Sequence, residues 1–395
     1  MDRIIIVNAY TNGHHPFYLS LIIKSLAASS NVTVLGELTE NIRNYLSRHT
    51  IAPSSVKWVK PNGSSVADFY AQSLSVAREE SASAVFYTYF DSFLEHVLSE
   101  KSPIGHGVTG IWLHPHALDQ KYRWIPGLDK RIRYRKRIHS KLRTHPSTTN
   151  VQTIFFLDPD APSRLAKLNK DITGMVLPDP GESNPAMDKA TARKYFKLPG
   201  QEKTIFLHIG TSEKRKGLSD TIQAFHLGLS DRQFRERAFL LRVGMNDKLS
   251  PRDRTKLLEL VKSGNALLKE EFVSESDFIE YFSAADVVLL PYRKFRFSSG
   301  ILVNALNAGR PALASDYGMI GEIVKKSAAG NSFKEGSVTS LSKAMVDQCR
   351  VAPKTTPRID TFKEQSKFIN LIAKSFQNLH MQCNSNCEEN NLNVK

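Results

Sequence analysis

Short apolar runs alternate with helical patterns along most of this chain, and this alternation is the feature that most constrains its fold. In the first half, the apolar runs are RIIIVNAY, NVTVLG, SAVFYTY, GVTGIWLH and TIFFLD. In the second half, TIFLHIG, AFLLRVG and DVVLLPY alternate with the helical patterns LSDTIQAFHLGL and SESDFIEYFSAA. Unbroken apolar runs are typical of strands that are covered on both faces, so the sequence predicts an α/β fold with parallel sheets.

The alternation occurs twice, on either side of a segment rich in proline and glycine at residues 174–200. A chain of 395 residues is long enough for two domains. We therefore predict an N-terminal domain over residues 1–175 and a C-terminal domain over residues 176–360. A final helix is predicted over residues 361–382, and the polar residues 383–395 are predicted to form a disordered tail.

The net charge of the chain indicates which classes of partner it could bind. Lysine and arginine total 54 against 39 aspartates and glutamates, a formal net charge of +15. Such an excess favours nucleic acid, an anionic membrane surface or phosphorylated ligands. No apolar run approaches the roughly 20 residues of a transmembrane helix. The N-terminal residues are typical of a buried strand rather than a signal peptide, so we expect a cytoplasmic protein with reduced thiols.

A basic segment at residues 121–143 reads KYRWIPGLDKRIRYRKRIHSKLR. Tyr134, Ile138 and Leu142 lie four apart, so they form one apolar stripe on a helix otherwise covered by cations. Two interpretations stay open: a helix lying on an anionic membrane, or a solvated basic face whose stripe packs on its own domain. No nucleic-acid-binding motif accompanies the charge, so nucleic acid is not expected as a partner.

The stretch FSSGILVNALNAGRPALASD, at residues 297–316, follows the buried strand DVVLL. Ser298 or Ser299 is predicted to cap the helix that follows, and Gly309 and Pro311 are predicted to end it. The apolar run PALAS, which comes next, is predicted to be a second short strand. A helix that starts with a glycine lets a ligand approach its first N–H groups, which favours an anion site. The alternative is an ordinary capped helix.

A second phosphate signal is the stretch FLHIGTSEKRKGLSDTIQAF. A strand ends at a turn around Gly210, and Arg215, Lys216 and Gly217 lead into a helix. Two adjacent cations at the carboxyl edge of a parallel sheet can neutralise a diphosphate. The spacing of a Walker loop is absent.

The order of these motifs resembles the nucleotide-binding half of GT-B glycosyltransferases, most closely the retaining enzymes of family four, also described as glycosyl transferases group 1. The resemblance covers residues 203–335 and extends weakly to NGHHPFYLSLIIKSL near the N-terminus. It implies two Rossmann-like domains facing across a cleft, with the nucleotide-sugar donor on the second domain. It also implies a C-terminal helix that returns toward the N-terminal domain.

By this resemblance, Lys216, with Arg215 beside it, would hold the donor diphosphate. Ser299, Gly300 and Ile301 would offer backbone N–H groups to the same phosphates.

Other positions are implied in the same way. Phe272 and Val273 match the segment whose backbone meets the nucleobase, and Gly13 matches the first-strand loop near the donor phosphates and the acceptor. His114 or His116 falls where the family often carries an active-site histidine, whereas a structural role is the alternative. No metal or other cofactor is implied.

The chain departs from the family at two acidic positions. The family usually has two glutamates with seven residues between them, and the second typically binds the donor ribose. Arg296 and Asn304 occupy these positions here. Asn304 lies four residues after Gly300 on the same helical face, so its amide could bind a ribose hydroxyl.

We therefore predict a retaining, metal-independent glycosyltransferase with His114, His116 and Lys216 as candidate catalytic residues. The acceptor would be a glycan, a lipid-linked glycan or a small molecule, as in polysaccharide biosynthesis. The basic segment would attach the enzyme peripherally to the inner face of the membrane. Two alternatives remain: a catalytically weak GT-B protein that binds a nucleotide sugar or a partner, and a sugar-nucleotide epimerase.

Overall fold

The chain forms two compact units. The computed structural model describes residues 2–11, 13–99, 107–118, 130–144, 151–181, 185–271, 273–327, 329–351, 356, 358 and 360–392. The N-terminal unit comprises Met1–Pro178 and Gln365–Lys395, and the C-terminal unit comprises Asp179–Glu364. The first change of unit falls after the predicted position because residues 173–176 still belong to a strand of the N-terminal sheet.

The N-terminal unit is built on a parallel sheet with the strand order β3-β2-β1-β4-β5-β6-β7. Its strands are β1 (Arg3–Asn8), β2 (Asn31–Gly36), β3 (Lys57–Val59), β4 (Ala84–Tyr87), β5 (Gly107–Ile111), β6 (Val151–Phe156) and β7 (Thr173–Val176). Its helices include α1 (His15–Leu26), α2 (Glu40–Arg48), α3 (Val66–Glu79), α4 (Phe90–Val97), α5 (Lys130–Thr144) and α6 (Ala161–Leu168). The parallel α/β fold predicted for this half is confirmed.

Both faces of this sheet are covered by apolar side chains. Ile5 and Val7 on β1 pack in one core cluster, whereas Ile4 and Ile6 pack in the cluster on the other face. Successive side chains of a strand point to opposite faces, so an unbroken apolar run fits only a strand that is buried on both sides.

The C-terminal unit has a second parallel sheet with the order β10-β9-β8-β11-β12-β13. Its strands are β8 (Thr204–Ile209), β9 (Ala238–Val243), β10 (Ala266–Lys269), β11 (Val287–Leu290), β12 (Ala312–Ser315) and β13 (Gly330–Phe333). Its helices are α7 (Lys189–Tyr195), α8 (Leu218–Gly228), α9 (Arg232–Arg237), α10 (Pro251–Lys262), α11 (Glu275–Ala284), α12 (Gly300–Asn307), α13 (Gly318–Lys326) and α14 (Val338–Arg350) among the described residues.

The strand order reverses beside the first strand of each sheet. In the N-terminal sheet the reversal lies between β1 and β4, and in the C-terminal sheet it lies between β8 and β11. Connections leave such a pair of strands in opposite directions, which opens a crevice at their carboxyl ends where α/β proteins bind ligands. The candidate sites should therefore be built from the segments that follow these four strands.

A last helix, α15 (Thr361–Leu392), belongs to the N-terminal unit from Gln365 onward. Phe368, Ile372 and Phe376 lie four apart on it and are buried in the core of that unit. The helix continues to Leu392 through most of the tail that was predicted to be disordered. No glycine or proline occurs between Thr361 and Leu392 to interrupt it.

Candidate functional site

The carboxyl edge of the C-terminal sheet carries a cationic loop between β8 and α8. After Gly210, the chain forms a one-turn 3-10 helix, Lys214–Lys216, and Gly217 then precedes α8 in the left-handed conformation with φ +70°. A Cβ atom on Gly217 would lie 1.9 Å from the carbonyl oxygen of Pro291. Glycine therefore allows this loop to lie directly against the segment that follows β11.

Tyr292 contacts both of the sequence motifs that predict phosphate binding, the cationic loop and the start of α12. The Nζ atom of Lys216 donates a hydrogen bond to the phenol oxygen of Tyr292 at 2.8 Å and lies 4.6 Å from the centre of its ring. The hydroxyl of Ser299 donates to the same phenol oxygen at 3.3 Å. Tyr292 is buried, so its position is set by packing. The structure thus brings Lys216 and the start of α12 together at one point.

Arg215 is held by aromatic rings at the same edge. Its guanidinium lies 4.6 Å from the centre of the Phe295 ring and 5.7 Å from that of Tyr292. Glu213 lies 3.5 Å away as an ion-pair partner, and the backbone N–H of Arg293 donates to the carbonyl of Arg215 at 2.9 Å. Cation–π contacts restrict the side chain, which lowers the cost of ordering it around a ligand.

The start of α12 differs from its prediction in one respect. Ser299 is the N-cap residue, but its side chain makes no capping hydrogen bond, and its hydroxyl donates to Tyr292. The hydroxyl of Ser298 donates instead to the carboxylate of Asp179. Gly300 is exposed, and a Cβ atom there would meet nothing within 4 Å. The first N–H groups of α12 therefore have open space and no side-chain cap, which suits an anion.

Asn304 lies one turn further along α12. It is 6% exposed, and its Oδ1 atom has no hydrogen-bond partner in the described part of the chain. A buried amide oxygen without a partner costs free energy, so a hydroxyl of a ligand would be a favourable donor to it. Arg296 has its backbone against Gly318, since its carbonyl accepts from the N–H of Met319 at 3.1 Å. Ile301 packs partly against the core of the unit.

The remaining donor-side predictions fall in different places. Phe272 lies outside the described residues. Val273 precedes α11 and packs partly against the core of the C-terminal unit. Gly13 lies in the N-terminal unit, in the turn between β1 and α1, with φ +66°, and a Cβ atom there would meet nothing within 4 Å. The roles of Val273 and Gly13 stay predictions.

The N-terminal unit has a pocket of about 470 Å³ close to the carboxyl edge of its sheet. Aromatic and apolar side chains line most of it, including Tyr89, Trp112 and Ile138. His114 and His116, the two candidate catalytic histidines, both lie on its wall. Their rings stack with centres 6.4 Å apart, so the structure brings the two residues together.

Asp91 distinguishes the two histidines. Its carboxylate accepts hydrogen bonds from the backbone N–H groups of Leu113 at 2.9 Å and His114 at 2.8 Å. The same carboxylate lies 3.4 Å from Nδ1 of His114, which also lies 3.3 Å from the hydroxyl of Tyr89. A carboxylate in this position orients an imidazole so that its other ring nitrogen faces away from the carboxylate. The local sequence around Asp91 indicates no more than an acceptor contact or a capping residue.

Further aromatic rings cluster where β1 and β4 end. His15 stacks on Tyr10 at 5.0 Å and on His14 at 4.7 Å, and its ring meets Tyr89 edge-on at 5.1 Å. Burial, with the charges of His14 and His114, lowers the pKa of His15 to about 3. His15 is therefore neutral near pH 7.

A sequence comparison assigns a family to one domain of the chain. The model of the family described as "Glycosyl transferases group 1" matches residues 190–348, which contain the cationic loop, Tyr292 and all of α12. The chain is a glycosyltransferase with a group 1 domain. No curated protein shows significant sequence similarity to it.

Solved structures show that this glycosyltransferase has the GT-B fold. Sucrose-phosphate synthase from Thermosynechococcus elongatus is 14% identical, with a TM-score of 0.68 over 98% of this chain and 100% of that chain. HepE from Anabaena, in complex with UDP, is 12% identical, with a TM-score of 0.63 over 98% and 100%. WaaG, a glycosyltransferase involved in lipopolysaccharide biosynthesis, is 16% identical, with a TM-score of 0.61 over 94% and 95%.

The apolar stripe of the basic helix α5 packs against the core of the N-terminal unit of the glycosyltransferase. Ile138 and Leu142 are fully buried in the core of the N-terminal unit, and Tyr134 packs against it and donates to the carbonyl of Asp91 at 3.0 Å. The interpretation in which the stripe packs on its own domain is therefore confirmed, and Ile138 and Leu142 are not available to insert into a membrane. Residues 121–129 of the basic segment lie outside the described residues.

Membrane-spanning helices and metal clusters are both absent from the described part of the glycosyltransferase. Among its described helices, none combines the length and apolar character that a bilayer-spanning segment requires. In the same part of the chain, no three histidine, cysteine, aspartate or glutamate side chains are grouped so that they could hold a metal ion.

Proposed function

We propose that this glycosyltransferase moves a sugar from a nucleoside diphosphate sugar to an acceptor hydroxyl, with retention and without a metal ion. The observation that carries the proposal is the double contact of Tyr292 with Lys216 and Ser299. It places a cation beside an uncapped helix start at the point where the strand order reverses. Such a site suits a diphosphate, and a solved structure with the same fold, HepE, contains UDP.

In this proposal the donor diphosphate lies against Lys216, Arg215 and the first N–H groups of α12. The bond between the sugar carbon and the diphosphate oxygen breaks, and a bond from that carbon to the acceptor oxygen forms. The departing diphosphate takes the proton of the acceptor hydroxyl. Lys216, Arg215 and the helix start stabilise the negative charge that develops on the leaving group, which lowers the barrier.

The amide of Asn304 would bind a ribose hydroxyl of the same donor. The partnerless Oδ1 atom supports this role, because a hydroxyl would satisfy it. A neutral amide lacks the extra strength of a charged acceptor, so we expect a weaker ribose contact than a glutamate would make.

The acceptor would enter the pocket of the N-terminal unit. Its aromatic wall suits the apolar face of a sugar ring or a lipid, and His114, oriented by Asp91, would bind the hydroxyl that reacts. A glycan, a lipid-linked glycan or a small molecule fits this description. Exposed cations of α5, at Arg133, Lys136 and Arg143, would attract the enzyme to an anionic membrane surface in the cytoplasm.

Calorimetric titration of the full chain with UDP, GDP and ADP tests the donor site. We expect micromolar binding of one nucleotide, which Lys216→Ala should weaken by at least about tenfold, because it removes the charge-assisted contact to the phosphates. Lys262→Ala, at an exposed position near the end of α10, is the matched control and should bind like the wild type.

The outcomes separate the candidate functions. Absence of binding by the wild type for all three nucleotides would overturn the proposed donor site. Tight nucleotide binding without turnover of any nucleotide sugar would favour the catalytically weak binding protein, a candidate that Arg296 and Asn304 at the usual acidic positions support. A change of the sugar without an acceptor would identify an epimerase.

A further inference from the structure

Arg242 is a fully buried arginine in the middle of the C-terminal unit. It lies on β9, between the apolar residues Leu241 and Val243. Its Nε atom donates to Oδ1 of Asn246 at 2.9 Å, and its terminal nitrogens donate to the carbonyls of Val243 and, at 2.9 Å, of Met245. Three sides of the guanidinium are thus held by the turn that follows β9.

Every acceptor bonded to this guanidinium among the described residues is neutral. The carboxylate with the strongest influence on it, Glu270, is engaged by Arg254 through two hydrogen bonds of 2.8 and 2.9 Å. Burial lowers the pKa of Arg242 to about 10, so the group still carries its charge near pH 7. Because Glu270 is shared with Arg254, the charge of Arg242 is only partly compensated, and a partly compensated buried charge destabilises a fold. A leucine would pack here at a lower cost, which suggests that the charge serves a ligand.

The charge lies close to the cationic loop. A terminal nitrogen of Arg242 is 3.3 Å from where a Cβ atom of Gly244 would be, and that same position is 2.3 Å from the carbonyl oxygen of Gly210. A Cβ atom on Gly210 would in turn lie 3.9 Å from Nζ of Lys216. The two cations therefore flank a pair of glycine turns at the carboxyl ends of β8 and β9.

His208 forms hydrogen bonds with both residues, through the guanidinium of Arg242 and the backbone carbonyl of Lys216. Its carbonyl accepts from Arg242 at 3.4 Å, and its Nε2 atom lies 3.2 Å from the carbonyl oxygen of Lys216. Burial, and then the charge of Arg242, lowers the pKa of His208 to about 3, so the ring is neutral near pH 7. None of the groups in this hydrogen-bonded chain, which runs from Arg242 through His208 to the backbone of Lys216, carries a negative charge.

We propose that Arg242 is a positioning residue for the donor, whose buried charge and hydrogen bonds hold the Gly210 and Gly244 turns in a form that binds a diphosphate. It does not contact the phosphates; it acts through its hydrogen bonds to these turns and through the positive charge that it adds to the phosphate site. The inference rests on the proposed function, because it assumes that a diphosphate binds beside Lys216.

The variant Asn246→Asp tests whether the charge of Arg242 contributes to diphosphate binding. The new carboxylate accepts the same hydrogen bond from Nε of Arg242 but neutralises its charge. We expect the affinities for inorganic pyrophosphate and for the nucleoside diphosphate that the wild type binds to fall by about tenfold. A purely structural role of Arg242 predicts unchanged affinities.

Two further variants complete the experiment. Asn265→Asp adds the same charge at the opposite, amino edge of the sheet and should bind pyrophosphate like the wild type. Arg242→Lys keeps a buried charge and should retain more pyrophosphate affinity than Arg242→Gln, provided that both fold. Affinities of Asn246→Asp within twofold of the wild type would overturn the inference and leave the proposed function standing. A wild type that binds neither pyrophosphate nor any nucleotide would overturn both.

Discussion

The phenol oxygen of Tyr292 accepts hydrogen bonds from both Lys216 and Ser299, at 2.8 and 3.3 Å. These two residues come from segments that follow different strands, β8 and β11. A single buried side chain thus sets the distance between the cation and the helix start, and its hydroxyl can be removed without disturbing the ring.

Tyr292→Phe should weaken nucleotide binding by about tenfold, because Lys216 loses the partner that holds it, and a hydrogen bond to a charged group contributes about 1.5 kcal/mol. Isothermal calorimetry with the preferred nucleotide measures this. Tyr195→Phe, at a 55% exposed position of the same unit, is the control and should change nothing. Equal affinity of Tyr292→Phe and wild type would show that Lys216 needs no positioning.

Gly217→Ala should destabilise the C-terminal unit by about 2–4 kcal/mol, since the left-handed backbone and the contact with the Pro291 carbonyl both exclude a methyl group. Gly264→Ala is the matched control. It has a similar φ of +73° but open space around its Cβ position, so it should cost only about 1 kcal/mol. Urea unfolding of both variants gives the two values, and similar losses would contradict the steric argument.

Asp91→Asn should lower sugar transfer by about tenfold or more and leave nucleotide affinity unchanged. The amide cannot accept from the backbone N–H groups of Leu113 and His114 with both of its atoms, so His114 loses its orientation. Donor turnover and calorimetry on the same preparation measure the two effects. Asp68→Asn, which alters an exposed helix cap on α3, should leave turnover unaffected. A parallel loss of nucleotide affinity would assign Asp91 to the general stability of the chain.

His208 should make the stability of the chain depend on pH. Its pKa is about 3 in the folded state, against 6.5 for an unperturbed histidine. The unfolded state therefore binds the proton first as the pH falls. The contribution of the neutral ring is complete above about pH 6.5 and decreases below it, by up to about 1.4 kcal/mol per pH unit.

His208→Gln tests this prediction. Urea unfolding between about pH 7 and pH 5 should show a shallower decline for the variant than for the wild type. Carboxylates titrate equally in both proteins, so the difference between the two curves reports His208. Parallel curves would contradict the prediction.

The strands that the apolar runs predicted are the interior strands of both sheets. The four that these runs did not reveal are β3, β7, β10 and β13, which are the four edges. An edge strand is covered less completely, so its side chains need not form an unbroken apolar run. The residues of β13, GNSF, and of β7, TGMV, illustrate this, since most of them are partly exposed or exposed.

The location of the site could be predicted from the sequence, but two of the residues that support it could not. The cationic loop and the glycine at the start of α12 are local patterns, and the structure brings them together. Tyr292 and Arg242 belong to no such pattern. In the sequence, Tyr292 is the end of an apolar run, and Arg242 is an isolated charge within a strand. Their roles come from contacts with residues distant in the chain, which a local pattern cannot encode.

The position of α15 has a consequence for biosynthesis. Phe368, Ile372 and Phe376 complete the core of the N-terminal unit, although a ribosome makes them after the entire C-terminal unit. The C-terminal unit can fold as soon as it emerges, whereas the N-terminal unit must wait with an open apolar groove for its last helix. The half of the protein that is synthesised first is therefore finished last, and its groove is the surface that a chaperone would have to protect during translation.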